Sequence, residues 1–417
     1  MLDINFIRQH AQEVKEACIN KQLDSSIVDQ LLVVDEERRK LQLTVDDWRK
    51  QSNENAGLIK QELAQGKQVS QELVNRGKSI KDELKKIEPE LAANEARFTE
   101  LMLAIPNVPT ADTPIGSDES FNQVLREEGK IPQFNFPVLD HQTLMEKLDW
   151  LDTKRAVKIA GFRAFFLKNE ALLLERALLN FALDSMREQG FTLLSVPTLV
   201  KAEAMLGTGY FPWGQDDHYY TQDKQILAGT AEVALTAYHQ NELLREKDLP
   251  IKLCGISPCY RREIGAHGKD TRGIIRVHQF NKVEQVVLTI ADEDETRRWH
   301  ELMLSFAEEL LKQLGLPYRV MAMCTGDLGA GQRKKYDIET WFPSQNTYRE
   351  THSASYFNDF QSRRLNIRYQ AKDGSIKYVY TLNNTVVASP RLLAAIIENY
   401  QKKDATIEIP QVLKKYF

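Results

Sequence analysis

The chain has 417 residues, 42% of them hydrophobic and 27% charged, and a formal net charge of -4 at pH 7. That length is more than one ordinary core serves and favours two or three domains, and the composition excludes disordered and fibrous classes. The weakly acidic balance argues against binding nucleic acid through bulk charge and leaves only a local basic face for such a contact. The opening segment MLDINFIRQHAQEV mixes Asp3, Arg8 and Glu13 with short apolar steps, so it lacks a signal peptide's apolar stretch. No later run of about 18 apolar residues occurs, and a cytoplasmic location without membrane contact is expected. Cys18, Cys254, Cys259 and Cys324 form no CxxC, which argues against a disulfide framework and against zinc at Cys254 and Cys259 with His267; buried thiols are the ordinary reading.

From Ile27 to Leu101 the chain is nearly free of proline and carries a 3,4 apolar spacing. One stripe runs through Ile27, Leu31, Val34, Leu41, Val45 and Trp48, interrupted by Arg38; a second runs through Leu73, Ile80, Leu84, Ile87, Leu91, Phe98 and Leu101, interrupted by Asn94. This is the heptad pattern of two helices. Gln65, Gly66, Lys67 and Gln68 between them predict a turn and an antiparallel hairpin, each helix about 30 to 35 residues and hence roughly 50 Å long at about 1.5 Å per residue. So long an arm is expected to project. Lys60, Lys67, Arg76, Lys78 and Lys81 lie toward its presumed tip. Charges at such positions are ordinarily a solvated coiled-coil face; a phosphate-contacting surface needs support from elsewhere.

Residues 105–114 read IPNVPTADTP, whose three prolines cannot continue a helix. The boundary falls here, giving a helical hairpin domain over 1–108 and a second domain over 109–417. The latter mixes amphipathic helices (170–189 and 292–313) with β-rich runs (279–290 and 365–369). Strands in consecutive groups rather than in βαβ alternation predict an antiparallel α+β domain.

GDLGAGQR from Gly326 has glycines at Walker A distance, but Gln332 and Arg333 stand where Lys and Ser/Thr belong; it reads as a glycine-rich turn. The block CYRREIGAHGKDTRGIIRVHQFNKVEQ (259–285) predicts a long-looped hairpin containing Gly265, Gly268, Lys269, Asp270 and Gly273 and studded with Arg261, Arg262, Arg272 and Arg276. Several inward arginines are costly unless an anion, polyphosphate or carboxylate, pairs with them. A second charged cluster, TYRETHSASYFNDFQSRRLNIRY, follows. In TLNNTVVASPRLLAAIIENYQ a strand ends at Ser389 and Pro390 and a helix begins, so Arg391 sits at a helix N-terminus, where dipole and guanidinium act together on phosphate.

These blocks carry a resemblance. The RxE of Arg261 to Glu263 with HQFNKVE is similar to motif 2 of class II aminoacyl-tRNA synthetases, and the strand-Arg-helix segment at Arg391 to motif 3. GTAE (229–232), TRGIIRVHQFNKVE, FQSRRLNIRY and LNNT with ENYQ resemble seryl-tRNA synthetases in particular, and the likeness covers essentially the whole chain, hairpin included. Motif 1, the least distinct, would be the helix 171–189, Gly190, a short strand and Pro197. It implies a homodimer, although an amphipathic core helix would read the same.

The resemblance implies an N-terminal antiparallel coiled-coil arm that binds tRNA, followed by a class II antiparallel-sheet catalytic domain flanked by helices. The activity would be serine activation with ATP and transfer to tRNA(Ser); whether tRNA(Sec) is also charged stays open. Thr230 and Glu232, with Ala231 between them, would hold the serine amino group, Glu284 its amino and hydroxyl ends, and Thr385 the hydroxyl. Arg261 would bridge carboxylate and α-phosphate, Glu263 would lie near the adenine and Phe280 stack on it. Arg262, Thr351 and His352 belong to the same implied ATP site, Glu350 and Ser353 would hold Mg²⁺, and Arg391 the γ-phosphate. The chain departs from the family pattern at Arg262, at His352, Ala354 and Tyr356, and over Asn384 to Ala388, where Thr385 replaces serine. No matched charged group is lost, but the fine shape of the serine pocket is put in doubt.

Adenylation brings a carboxylate onto a phosphate, two anions, so the site needs positive charge and positioning rather than a nucleophile or base. Accordingly no Ser/His/Asp or Cys/His set stands out, and His267, His278 and His352 need no catalytic role. Two other classes fit less well. An amino-acid ligase that loads a carrier protein has no use for the long hairpin, and a scaffold with a dead site has no use for Arg261, Glu263, Glu284, Glu350 and Arg391.

Overall fold

The computed structural model describes residues 1–265, 270 and 272–417; His267, Gly268 and Lys269 lie outside them. The chain divides into two compact units, one of Leu2–Ile19 with Leu23–Pro106, the other of Met1, Asn20–Gln22 and Asn107–Phe417.

In the first unit, helices α1 (Ser26–Ala64) and α2 (Gln71–Ala104) are antiparallel partners joined at 65–70. The hairpin is as the stripes predict, but α1 runs to 39 residues, longer than expected. Gly66 takes a left-handed φ of 70° at the turn, a conformation glycine adopts without strain, and Glu62 Oε2 accepts the Ser70 amide at 2.7 Å. Val28, Leu31, Val45, Ile80, Leu91 and Leu101 are buried along the seam. Both interruptions of the stripes find partners. The Arg38 guanidinium lies 4.5 Å over the Phe98 ring and donates to Asp35 at 3.0 Å, and Asn94 donates to Glu37 at 3.4 Å. Toward the turn the seam thins, with Leu58 and Leu63 exposed. There the buried Asn55 donates to the Leu73 carbonyl at 3.1 Å, and a Cβ on Gly77 would stand 3.1 Å from its amide nitrogen.

The second unit is built on an eight-stranded sheet: β1 (Gln123–Glu128), β2 (Thr192–Ser195), β3 (Ile251–Tyr260), β4 (Gln279–Thr289), β5 (Tyr318–Ala322), β6 (Lys334–Phe342), β7 (Thr347–Asn358) and β8 (Tyr380–Ala388). Their order is β1-β5-β6-β7-β8-β4-β3-β2, antiparallel throughout except for β2 with β3. Helices α3 (Glu170–Glu188), α4 (Glu293–Gln313) and α5 (Ser389–Asn399) send Leu174, Leu178, Met303, Leu304, Leu393 and Ile396 into one core with Val283, Val287, Ile338 and Val386 of the sheet. Asp292 caps α4 by accepting from the Glu295 amide. One expected strand needs correction. Leu365 closes a short helix, Phe360–Leu365, because Asn366 takes the left-handed conformation (φ 54°) that ends it, and the extended run begins only at Arg368.

Candidate active site

Strands β4, β6, β7 and β8, the segment following β3 and the first turn of α5 enclose a cavity of about 280 Å³. On β4 the period of two brings Phe280, Lys282 and Glu284 to the cleft wall while Val283 and Val287 enter the core.

At one end Glu284 faces Thr385 as its register partner across β4 and β8, and both line the cleft. Lys282 Nζ lies 2.5 Å from Glu284 Oε2 and donates to Thr230 Oγ1 at 3.0 Å. Burial raises the Glu284 carboxyl to about 7, with Lys282 and Arg261 pulling the other way. Glu232 also lines the cleft. It accepts from the Tyr210 hydroxyl at 2.7 Å and from Gln361 at 2.9 Å, and burial raises it against these partners. Thr230 stands behind Lys282, and Ala231 packs in a hydrophobic cluster with Leu235 and Leu253; neither lines the cavity.

In the middle, the Arg261 guanidinium lies 5.4 Å from the Phe280 ring centroid and its Nε donates to the Gly229 carbonyl at 3.3 Å. Glu263 lines the cleft with a left-handed φ of 54°, an uncommon conformation for a non-glycine residue, and accepts from Arg276 at 2.6 Å. Three of the four arginines of 259–285 lie outside the lining of this cavity. Arg276 already meets Glu263 and Asp270, Arg262 donates to the Asp216 carbonyl at 2.8 Å outside the cavity lining, and Arg272 is exposed. Arg261 alone among the four lines the cleft.

At the far end Arg391, in the first turn of α5, donates to the Glu350 carbonyl at 3.0 Å and pairs with its Oε1 at 3.1 Å. Burial would raise Glu350, but Arg391 and Lys335 overcome it and hold the carboxyl at about 2. Ser353 faces the cleft and is the register partner of Asp337. Glu350 and Ser353 offer a carboxylate and a hydroxyl, hard oxygen donors that fit Mg²⁺ when phosphate oxygens and water complete its shell. Thr351 borders the cleft, but its hydroxyl is taken by Thr340 and His352 at 2.8 Å each. His352 is buried behind it, 3.1 Å from the Val386 carbonyl, lowered by burial to about 4, and does not line the cavity.

Tyr210, Lys282, Lys335, Asn383 and Gln332 also line the cleft and were not foreseen. Lys282 was legible from the period of two in FNKVE. Gln332 belongs to the glycine-rich turn, which is a turn as expected and carries its side chain to the cleft, donating to Ser355 Oγ at 2.8 Å. Cys254 and Cys259 are buried, and burial raises both thiols.

An antiparallel sheet with Arg261 beyond one strand and Arg391 opening a following helix is the core of a class II aminoacyl-tRNA synthetase, and the model described as "tRNA synthetase class II core domain (G, H, P, S and T)" matches residues 216–400. A second, "Seryl-tRNA synthetase N-terminal domain", matches residues 1–109. The serine–tRNA ligase of Deinococcus radiodurans is 43% identical over 417 residues, covering 100% of this chain and 97% of that protein. That of Kosmotoga olearia is 42% identical over 100% of this chain and 98% of the other. Among solved structures, seryl-tRNA synthetase from Pyrococcus horikoshii complexed with ATP superposes with a TM-score of 0.92 at 38% identity, covering 100% and 98% of the two chains. The chain belongs to the seryl-tRNA synthetase family, and its reaction is that of a serine–tRNA ligase.

Proposed function

We propose that serine lies at the Glu284 and Thr385 end of the cleft and ATP across Arg261 toward Arg391. The observation that carries this is that Arg261 acts on both Glu284, beside Thr385, and Glu350, beside Arg391, so that it stands between the two groups. Glu284 and Glu232 receive the serine ammonium, and Thr385 and Glu284 its hydroxyl. Thr230 acts through Lys282 rather than directly, and Ala231 through the backbone. Arg261 draws the serine carboxylate and the α-phosphate together, Phe280 stacks on the adenine with Glu263 nearby, and Arg391 takes the γ-phosphate. Glu350 and Ser353 would hold Mg²⁺, which supplies charge neutralisation on the phosphates. A fixed array of charges in the cleft stabilises the in-line displacement without having to reorganise. Thr351 and His352 set the strand that carries Glu350 and Ser353, and Arg262 lies outside the ATP site.

The binding of ATP by the Pyrococcus relative and of AMP by the Naegleria fowleri enzyme named in its structure, 28% identical with a TM-score of 0.87, supports the nucleotide assignment. Residues 1–108 serve as the tRNA-binding domain and 109–417 as the catalytic one, with Lys60, Lys67, Arg76, Lys78 and Lys81, all exposed, on the tRNA side of the arm. A homodimer is supported by the exposed apolar side chains of Ile159, Phe162, Phe166, Leu172 and Leu173 beside and on α3. No helix among the described residues is long and apolar enough to cross a membrane, and the cytoplasm is the proposed location. ATP–pyrophosphate exchange with each amino acid, with and without tRNA, tests the reading. Exchange that is serine-specific and independent of tRNA supports it, and exchange with another amino acid or none overturns it.

A further inference from the structure

Beyond the cleft lies a buried pair that the reaction does not use. His141 opens the helix His141–Lys147 and is 4% exposed. Its Nδ1 is 2.8 Å from Glu398 Oε1, which also accepts the His141 amide at 3.1 Å, while Glu398 Oε2 accepts the Ser344 amide at 3.0 Å. A carboxylate at Nδ1 fixes the proton there, leaving Nε2 as an acceptor. Nε2 then takes the Ile274 amide at 3.3 Å, and the adjacent Gln142 Oε1 takes the Gly273 amide at 2.8 Å. The approach is so close that a Cβ on Gly273 would stand 2.0 Å from Nε2, and Gly273 has a φ of 77°.

The segment held in this way is the return leg of the loop between β3 and β4. It carries Ile275 and Val277 to the cleft wall and Arg276 to Glu263. Glu398 stands on α5, seven residues and so about two turns beyond Arg391. The helix that presents Arg391 to the cleft therefore also fixes, through His141, the leg that brings Ile275 and Val277 to its wall.

We infer that His141, with Gln142, is a positioning residue for the nucleotide half of the site: it holds residues 273–277 in the conformation that the nucleotide needs before the nucleotide arrives. The inference rests on the assignment of ATP to the Phe280 and Arg391 side of the cleft. Small displacements of such a wall can cost up to about 10²-fold, and the serine end, built on β4 and β8, does not depend on the leg.

The test is pyrophosphate exchange by full-length His141→Phe, which keeps a ring beside Phe342 but has neither acceptor nor donor, beside His141→Gln, which keeps an acceptor. The KM for ATP should rise by at least about tenfold in His141→Phe, the KM for serine should stay near wild type, and His141→Gln should recover most of the loss. An unchanged KM for ATP, or a parallel rise for both substrates, overturns the inference. If His141→Phe does not fold, Gln142→Ala, which removes the Gly273 bond and an exposed contact to Glu146 but leaves His141 and Glu398 paired, decides by the same split. Phe280→Ala, measured in parallel, separates the two levels. A raised KM for ATP there with a silent His141→Phe sinks only the positioning role, whereas no effect of Phe280→Ala sinks the nucleotide assignment itself.

Discussion

Lys282 and Glu284 stand two residues apart on β4 with their charged ends 2.5 Å from each other, both side chains buried. A buried ion pair of this kind stabilises little in net terms, because desolvation offsets attraction. In the proposed binding mode it sets a carboxylate oxygen at a fixed place for serine, with Thr385 as its register partner across the neighbouring strand. Alanine, lacking the hydroxyl, would leave Thr385 unanswered and Glu284 with Lys282 and the ammonium alone, which is costly in a buried site, whereas threonine must be refused by size, which is harder.

Glu284→Ala should raise the KM for serine far more than that for ATP. It removes a charged hydrogen bond worth about 2 to 3 kcal/mol, roughly a 30- to 150-fold effect, and leaves Lys282 buried without its counter-charge. Steady-state exchange kinetics with each substrate varied in turn check this, and equal damage to both would make Glu284 a structural residue.

The same carboxyl predicts a pH dependence. Burial holds free Glu284 at about 7, and the serine ammonium favours the ionised form, so binding below that pH must displace a proton. The KM for serine should therefore fall as pH rises from about 6 to 8, by up to about tenfold per unit on the acid side. Glu284→Gln should bind serine weakly with a flat profile over this range. A wild-type profile with no inflection near 7 would remove Glu284 from contact with the ammonium.

The arm and the chemistry-bearing blocks were legible because each rests on a local rule: a 3.5-residue stripe, a period of two through Phe280, Lys282 and Glu284, and a proline-started helix behind Ala388. What was not legible depends on distant pairing. Nothing near Arg276 in the chain says that Glu263 and Asp270 will answer it, and nothing near Tyr210 says that its hydroxyl will reach Glu232, 22 residues on. Asn55 lies seven residues beyond Trp48, in phase with the first stripe, but its contacts with Leu73 and Gly77 appear only once the two helices are in register.

That contact can be tested in the arm alone. Gly77→Ala should add about 1 kcal/mol of helix propensity but bring a methyl to 3.1 Å from the Asn55 amide, so the gain should be largely cancelled. In an Asn55→Ala background the amide is absent and the full gain should appear. Thermal melts of the single and double variants read the coupling, and strictly additive effects would mean that Asn55 does not meet Gly77.

Arg391→Ala should depress serine-dependent exchange by at least about 10²-fold, because a preorganised charge on the triphosphate is lost. Glu350 would also lose the foremost of the cations that hold it down, leaving Lys335 and Arg261. Arg391→Lys keeps the charge but not the paired contacts to the Glu350 carbonyl and carboxylate, and should fall between the two. A near-normal rate in Arg391→Ala with an unchanged circular dichroism spectrum would take Arg391 out of the site.

The arm itself separates tRNA docking from a merely solvated coiled coil. It forms its own compact unit, so deleting about Trp48 to Lys81 and rejoining α1 and α2 with a short turn should leave the catalytic unit folded and serine activation close to wild type. The deleted half holds Lys60, Lys67, Arg76, Lys78 and Lys81, all exposed, and the seam there is already thin, with Leu58 and Leu63 facing solvent. Little core is therefore lost, while the basic groups that would meet the tRNA backbone go together. Charging of tRNA should fall by orders of magnitude, and the slope of log affinity against log salt should flatten by about 0.7 to 0.9 for each phosphate contact removed. Aminoacylation and tRNA binding measured across a salt series read both effects. If activation and charging both persist at wild-type efficiency with the same salt slope, these lysines and this arginine are a solvated face and the tRNA is held elsewhere.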